Sequence, residues 1–391
     1  MLIGIVGKPN VGKSTFFKAM SASDILIANY PFATIDANKG IGYVRVKCPA
    51  ENFFKESCDP RHGYCVDGER YAPVELLDVA GLVPGAHEGK GMGNKFLDDL
   101  READVLVHVV DASGSTNEKG EPVSVGSYDP KKDIKFLEEE LNQWYFGIIK
   151  KGWEKFSRKI SQEKKSVKKE LAKQLSGLKV KPDDVTEVID KLKLPEVPEK
   201  WSQDDLYNVA KVLREKTKPI VIAANKIDLV EDISKLKELG DDVIPIYADG
   251  ELALKEASNH DLIDYLPGDD DFKIKGDLNS AQKNALEKIK EKIKENNGTG
   301  VQRVINHAVF NLLDYIAVFP GGVKKLEDKD GNTLPDCFLV PRGSTTLDFA
   351  YKVHSDLGEN FIRAIDVKKN QLVGKDHALN HLDVIEIVAD K

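Results

Sequence analysis

Gly7, Gly12, Lys13 and Ser14, within Gly7-Lys8-Pro9-Asn10-Val11-Gly12-Lys13-Ser14, have the types and spacing of a loop that grips a nucleoside triphosphate. Beta and gamma phosphates carry closely spaced negative charge. Successive backbone N–H groups at a helix N-terminus meet that charge without bulky side chains. Gly7 and Gly12 permit such a backbone path, Lys13 reaches the β and γ oxygens, and the Ser14 hydroxyl suits Mg2+. Pro9, Asn10, Val11 and Thr15 complete the stretch expected around the phosphates. Asn225-Lys226-Ile227-Asp228 is the second signal. A carboxylate there accepts hydrogen bonds from guanine N1–H and the N2 amino group, a donor pair that adenine lacks. Asp78-Val79-Ala80-Gly81 lies between the two, with Asp78 placed for Mg2+ and the Gly81 N–H for the γ-phosphate.

Each motif needs a strand that ends where the motif begins. The apolar run at 2–6 ends at Gly7, PVELLD (73–78) ends at Asp78, and PIVIAA (219–224) ends at Asn225. With 41–46, 104–111 and 243–247 these are the expected strands, several so continuously apolar that helices must cover both faces. Helical patterns at 93–102, 232–239 and 251–265 alternate with them, and such alternation predicts a doubly wound α/β sheet. Between 112 and 218 the alternation is interrupted. Ile134, Leu137, Leu141, Phe146, Ile149, Trp153, Phe156 and Ile160 recur at helical spacing, and pieces at 182–193 and 203–215 follow. This predicts an inserted helical subdomain, built around a hairpin-like helix pair. Residues 280–317 read as two more helices, and from 319 the chain becomes a small α+β module with one helix near 345–354.

Composition limits the rest. The chain has 391 residues, 41% of them apolar, enough for two or three domains with sizeable cores. A net charge of −8 excludes a uniformly basic coat. Residues 150 to 181 nevertheless hold twelve Lys/Arg against three Glu, a local +9 that suits RNA phosphates. No apolar run is long enough to cross a bilayer, so no membrane partner is expected. Four cysteines make no disulfide framework, which places the protein in a reduced cytoplasm. Cys48, Cys58, His62 and Cys65 could in principle hold Zn2+, but Cys-x6-Cys is not a zinc-knuckle spacing, and small buried thiols in a hairpin insert are the expectation.

GKPNVGKSTFFKA (7–19), NYPFATIDANKG (29–40), DVAGLVPGAHEGKGMGNKFLDDLREAD (78–104) and HVVDAS (108–113) resemble the Obg-like family of P-loop GTPases, in its YchF-type branch. CFLVPRGSTTLDFAYKVHSDLGENFIRAI (337–365) resembles the TGS domain that closes such proteins. The resemblance implies a P-loop NTPase fold, a Ras-like G domain at 1–113 and 219–278 interrupted by a helical insertion at 114–218. A helical connection at 279–318 and a TGS domain at 319–391 would complete it. It further implies that Thr34 closes on Mg2+ and the γ-phosphate, that Asn10 sits beside a K+ ion, and that segments 24–40 and 79–95 switch. Leu82 stands where Ras-like relatives orient water with glutamine, so slow turnover is expected.

A histidine at position 108 is proposed in the family to assist hydrolysis; its place mid-strand in LVHVVD favours a packed core residue instead. Many YchF-type members carry an altered fourth motif and prefer ATP. Here Asn225, Lys226 and Asp228 are intact, so GTP is the expected substrate and GDP the product. The fifth motif reads Tyr247-Ala248, with the Ala248 N–H left to meet the guanine oxygen. The expected partner is the ribosome or its RNA, reached through the basic insertion and the TGS domain. An ATPase of the same branch, and an RNA-binding module with incidental hydrolysis, are the alternatives. Oligomeric state has no signature in the sequence.

Overall fold

The computed structural model describes residues 1–21, 38–79, 93–328 and 330–390. In chain order the elements begin with β1 (Leu2–Val6), α1 (Lys13–Met20), β2 (Lys39–Lys47), β3 (Tyr64–Val66), β4 (Glu69–Asp78), α2 (Gly93–Glu102) and β5 (Val105–Asp111). Next come α3 (Lys131–Lys150), α4 (Trp153–Glu163), α5 (Val167–Gln174), α6 (Pro182–Leu192) and α7 (Gln203–Thr217). After these follow β6 (Ile220–Asn225), β7 (Val243–Pro245), α8 (Ala248–Asn259), β8 (Ile263–Asp264), β9 (Lys273–Ile274), α9 (Ser280–Glu295) and α10 (Val301–His307). The last elements are β10 (Tyr315–Pro320), β11 (Phe338–Pro341), α11 (Thr346–Val353), α12 (Ser355–Glu359), β12 (Phe361–Asp366), β13 (Gln371–Val373) and β14 (Val384–Ala389).

The described residues form two compact units, the first from 1–19, 38–39, 76–79 and 93–304. In it β1, β5, β6 and β7 run parallel as successive neighbours, and β1 and β5 are buried along their whole length. The register sets Val6 beside His108, Asp111 beside Asn225 and Ala224 beside Pro245. Val79 N–H donates to Ile5 O at 3.0 Å, which brings the end of β4 alongside β1. All these strands therefore stop at one edge, where ligands of open α/β sheets bind.

Between Lys131 and Thr217 the chain forms five α-helices, α3 to α7, rather than one hairpin-like pair. Leu137 and Leu141 of α3 and Leu206, Val209 and Leu213 of α7 share one apolar cluster with Leu2, Val6 and Leu106 of the sheet. A face of the sheet that would otherwise meet water is covered this way. Left-handed turns at Lys164 (φ 50°) and Lys179 (φ 62°), then Pro182 opening α6, cut the basic stretch into short helices. Ser202 and Asp205 close a capping box at the start of α7.

The second unit comprises 20–21, 40–75, 305–328 and 330–390. Its sheet has the order β11-β10-β14-β12-β13. Strand alternation buries β10 on both sides. Ile316 and Val318 meet Phe349 of α11, whereas Ala317 and Phe319 join Val46, Cys48 and Ala50. Residues 40–75 thus share a core with the C-terminal region, because that sheet has a second apolar face to bury. The helical reading of 280–317 also ends early: Asp314 turns left-handed (φ 51°) and β10 starts at Tyr315.

Candidate functional site

The loop Gly7–Gly12 runs from β1 into α1, and its two glycines answer to different neighbours. A Cβ on Gly7 would lie 2.6 Å from Val109 O; one on Gly12, at φ +90°, would lie 2.2 Å from Asn225 Nδ2. Lys13 Nζ donates to Asp78 Oδ1 at 2.5 Å and to Val79 O at 2.8 Å, so the lysine and the strand-ending aspartate meet at the loop's base. Ser14 is exposed beside them, Thr15 half-buried, Pro9 and Asn10 exposed, Val11 buried. A hydroxyl at the first turn of a helix with a carboxylate at a strand end is an all-oxygen donor set that fits Mg2+. Thr34, Gly81 and Leu82 lie outside the described residues, as do most of 24–40 and 79–95.

Asn225 ties the two ends of the site together. Its Nδ2 donates to Val11 O at 2.9 Å, and its Oδ1 accepts from Ala248 N–H at 3.2 Å. The Ala248 N–H, expected to face the guanine oxygen, is therefore engaged inside the protein. Lys226, left-handed at φ 66°, donates to Asp111 Oδ2 at 2.9 Å. Asp228 stands exposed on the turn Ile227–Leu229. Desolvation by the surrounding surface, and after it the nearby Asp249 charge, raise its carboxyl above the ordinary range.

Several contributors carried no sequence signal of their own. Asp111 ends β5 and is 1% exposed, accepting from Ser113, Ser115, Thr116 and Lys226. Burial alone would raise its pKa, but those donors outweigh burial and hold it low. Lys8 is buried in a clamp: its Nζ donates to Thr116 O at 3.0 Å, pairs with Asp133 Oδ2 at 2.7 Å and lies 4.0 Å from the Tyr128 ring centre. Asn10 Nδ2 donates to Gly120 O at 2.9 Å, so the segment after β5 lies along the phosphate loop. Only the strand-ending position of Asp111 in HVVDAS was visible beforehand; the clamp joins residues more than one hundred positions apart.

His108 does not reach this edge. It is 2% exposed within β5, and burial, followed by the Lys8 charge, pushes its pKa down to about 3. Enclosed within the sheet, the imidazole has the surroundings of the packed core residue that its place in LVHVVD favours. Its depressed pKa makes the fold acid-sensitive, because below the ordinary histidine range the unfolded chain binds a proton that the native state refuses. His108→Leu is expected to narrow the stability loss between pH 7 and pH 5 by about 2 kcal/mol, read from denaturant melts at both values. Identical pH profiles for variant and parent would refute this.

Family descriptions match three stretches: 50S ribosome-binding GTPase over 2–145, the Obg-like GTPase YGR210-like G4 motif-containing domain over 223–322, and the TGS domain over 325–389. An uncharacterized GTP-binding protein of Methanocaldococcus jannaschii is 49% identical over 394 residues, covering 99% of both chains. The ribosome-binding ATPase YchF of Haemophilus ducreyi is 30% identical over 375 residues, 92% of this chain and 86% of that one. The crystal structure of a GTP binding protein from Pyrococcus horikoshii covers all of both chains at 39% identity, with a TM-score of 0.79. Similarity of this extent, on a phosphate loop, a purine-side turn and a C-terminal TGS domain, means that the chain belongs to the Obg-like family of P-loop GTPases, in its YchF-type branch.

Proposed function

We propose that this protein binds and slowly hydrolyses GTP, and that the nucleotide switches its hold on the ribosome. The observation that carries the GTP reading is Asp228, exposed on the turn that follows Asn225, while Asn225 itself is hydrogen-bonded to the phosphate loop. In the proposed mechanism Lys13 leaves Asp78 and Val79 O for the β and γ oxygens, and the Asp78 carboxylate becomes free for the metal. Ser14 and Thr34 would supply hydroxyl ligands to Mg2+, and backbone N–H groups between Gly7 and Thr15, Pro9 having none, would cradle the phosphates. Bound Mg2+ neutralises charge that develops between the β and γ phosphates. Leu82 cannot orient water, so turnover is slow without a partner or a K+ ion beside Asn10. Asn10 Nδ2 is already given to Gly120 O, so its Oδ1 is the side-chain atom for such an ion.

The ribosome reading rests on the insertion and on the name that the Haemophilus relative carries. Lys150, Lys155, Arg158 and Lys159 line a groove of about 760 Å³ with Glu154 and Glu163, so its wall keeps a net positive charge. A cytoplasmic setting goes with such a partner, and no helix among the described residues is long and apolar enough to cross a membrane.

Competition calorimetry with GTP and ATP, followed by co-sedimentation with ribosomes in each nucleotide state, tests both halves. GTP is expected to displace ATP, and binding through about four phosphate contacts should weaken nearly 100-fold between 50 and 200 mM salt. Preference for ATP would install the alternative substrate. Salt-insensitive association, or none, would remove the RNA contact.

A further inference from the structure

The second unit brings together three thiols that are widely spaced in sequence. Cys48 follows β2 and is fully buried, Cys58 lies in the segment before β3, and Cys65 is the middle residue of β3, paired in register with Arg70. Their sulfur atoms all lie within 4.8 Å of one another. Zinc held tetrahedrally by thiolates at 2.3 Å sets sulfurs about 3.8 Å apart, so small rotations of these side chains suffice. His62, the other donor in the motif, is not part of the group.

Arg70 says what charge the cluster carries. Its side chain is fully buried; Nη1 donates to Cys58 Sγ at 2.9 Å and to Leu334 O at 3.1 Å, and Nη2 donates to Pro335 O at 2.8 Å. A guanidinium stays protonated in proteins, and a buried cation without an anion is costly. Among the described residues no carboxylate forms an ion pair with Arg70, so the anion at hand is thiolate sulfur. Three thiolates beside one guanidinium leave two negative charges, which a single divalent cation cancels.

We propose that Cys48, Cys58 and Cys65 bind a structural Zn2+ ion, with Arg70 as the cation that balances and orients the thiolates. Soft sulfur donors in a tetrahedral set select zinc over magnesium or calcium. Glu51, whose Oε1 accepts from Cys65 Sγ at 3.4 Å, is the oxygen donor at hand for the fourth position, and its one added negative charge lies on a half-buried side chain that water can screen. The ion would pin the hairpin 48–70 where Asp59 N–H donates to Thr333 O and Arg61 N–H to Pro335 O. Cys337 belongs to the same apolar cluster but not to the sulfur group.

Metal analysis of the full chain, purified reduced and without chelator, provides the test. Roughly one zinc per chain is expected, and Co2+ in its place should give the intense charge-transfer and visible bands of tetrahedral thiolate ligation. Cys58→Ser with Cys65→Ser should lose zinc, and Cys337→Ser should keep it. The cobalt spectrum of the unmodified chain decides the matter even if the double variant fails to fold. Zinc that neither co-purifies nor binds on addition, or cobalt without thiolate bands, would overturn the assignment.

Discussion

Lys13→Ala is expected to bind GTP about 10²–10⁴-fold more weakly than the parent chain, since hydrogen bonds to charged groups contribute roughly 1.5–3 kcal/mol each and this amine is proposed to make two. GDP should lose less, because only the triphosphate offers a γ oxygen. Thermal stability without nucleotide should hardly change. The side chains of the Lys13–Asp78 pair keep 15% and 24% of their accessibility, so hydration of the freed carboxylate offsets part of the lost attraction. Calorimetry with GDP and a slowly hydrolysed GTP analogue separates the two effects. An affinity within tenfold of the parent would mean that the amine stays on Asp78 and Val79 O while phosphate binds elsewhere.

Asp228→Asn is expected to exchange the base that the site prefers. A carboxylate only accepts hydrogen bonds, which matches guanine's N1–H and N2 amino group. An amide presents one acceptor and one donor, which matches the N1–H and the 2-oxo group of xanthine. GTP affinity should fall about 10²–10³-fold, the loss of two charge-assisted hydrogen bonds, while xanthosine triphosphate gains by a similar factor. Asp228→Ala supplies the control, since it should weaken GTP without favouring xanthine. Competition by the three triphosphates for one fluorescent nucleotide gives the ranking. An unchanged preference in Asp228→Asn would show that the turn does not read the base.

These two effects rest on features of unequal legibility. Lys13 and Asp228 were readable as pattern because each follows a strand whose apolar run is unbroken. Such runs at 2–6, 104–111 and 219–224 can be satisfied only inside a parallel sheet, and parallel strands end on one edge. Asp78 was readable because it ends the β-rich run PVELLD, although Glu75 interrupts that run. Asn225 was read as part of a base-recognition motif, yet its side chain joins Val11 O to Ala248 N–H. Nothing in four consecutive letters specifies that link, which depends on how β6 stands against the loop after β1. His108 illustrates the converse: its surroundings in LVHVVD indicated a core position, and complete burial agrees with them.

By itself the sequence determined neither β3 nor the start of β10, but it did determine the strands that carry the site, the loop Gly7–Gly12, the turn after Asn225 and a C-terminal α+β module. All of these follow from local periodicity or from contiguous residues whose chemistry needs no distant partner. Tertiary structure alone decided which side chains close the site and where the second core lies. Lys8 finds Asp133 and Tyr128, residues 40–75 share a core with the C-terminal sheet, and three separated cysteines converge on Arg70. Each of those meetings is fixed by burying an apolar face or neutralising a buried charge. Such demands can be met by many partners until packing selects one.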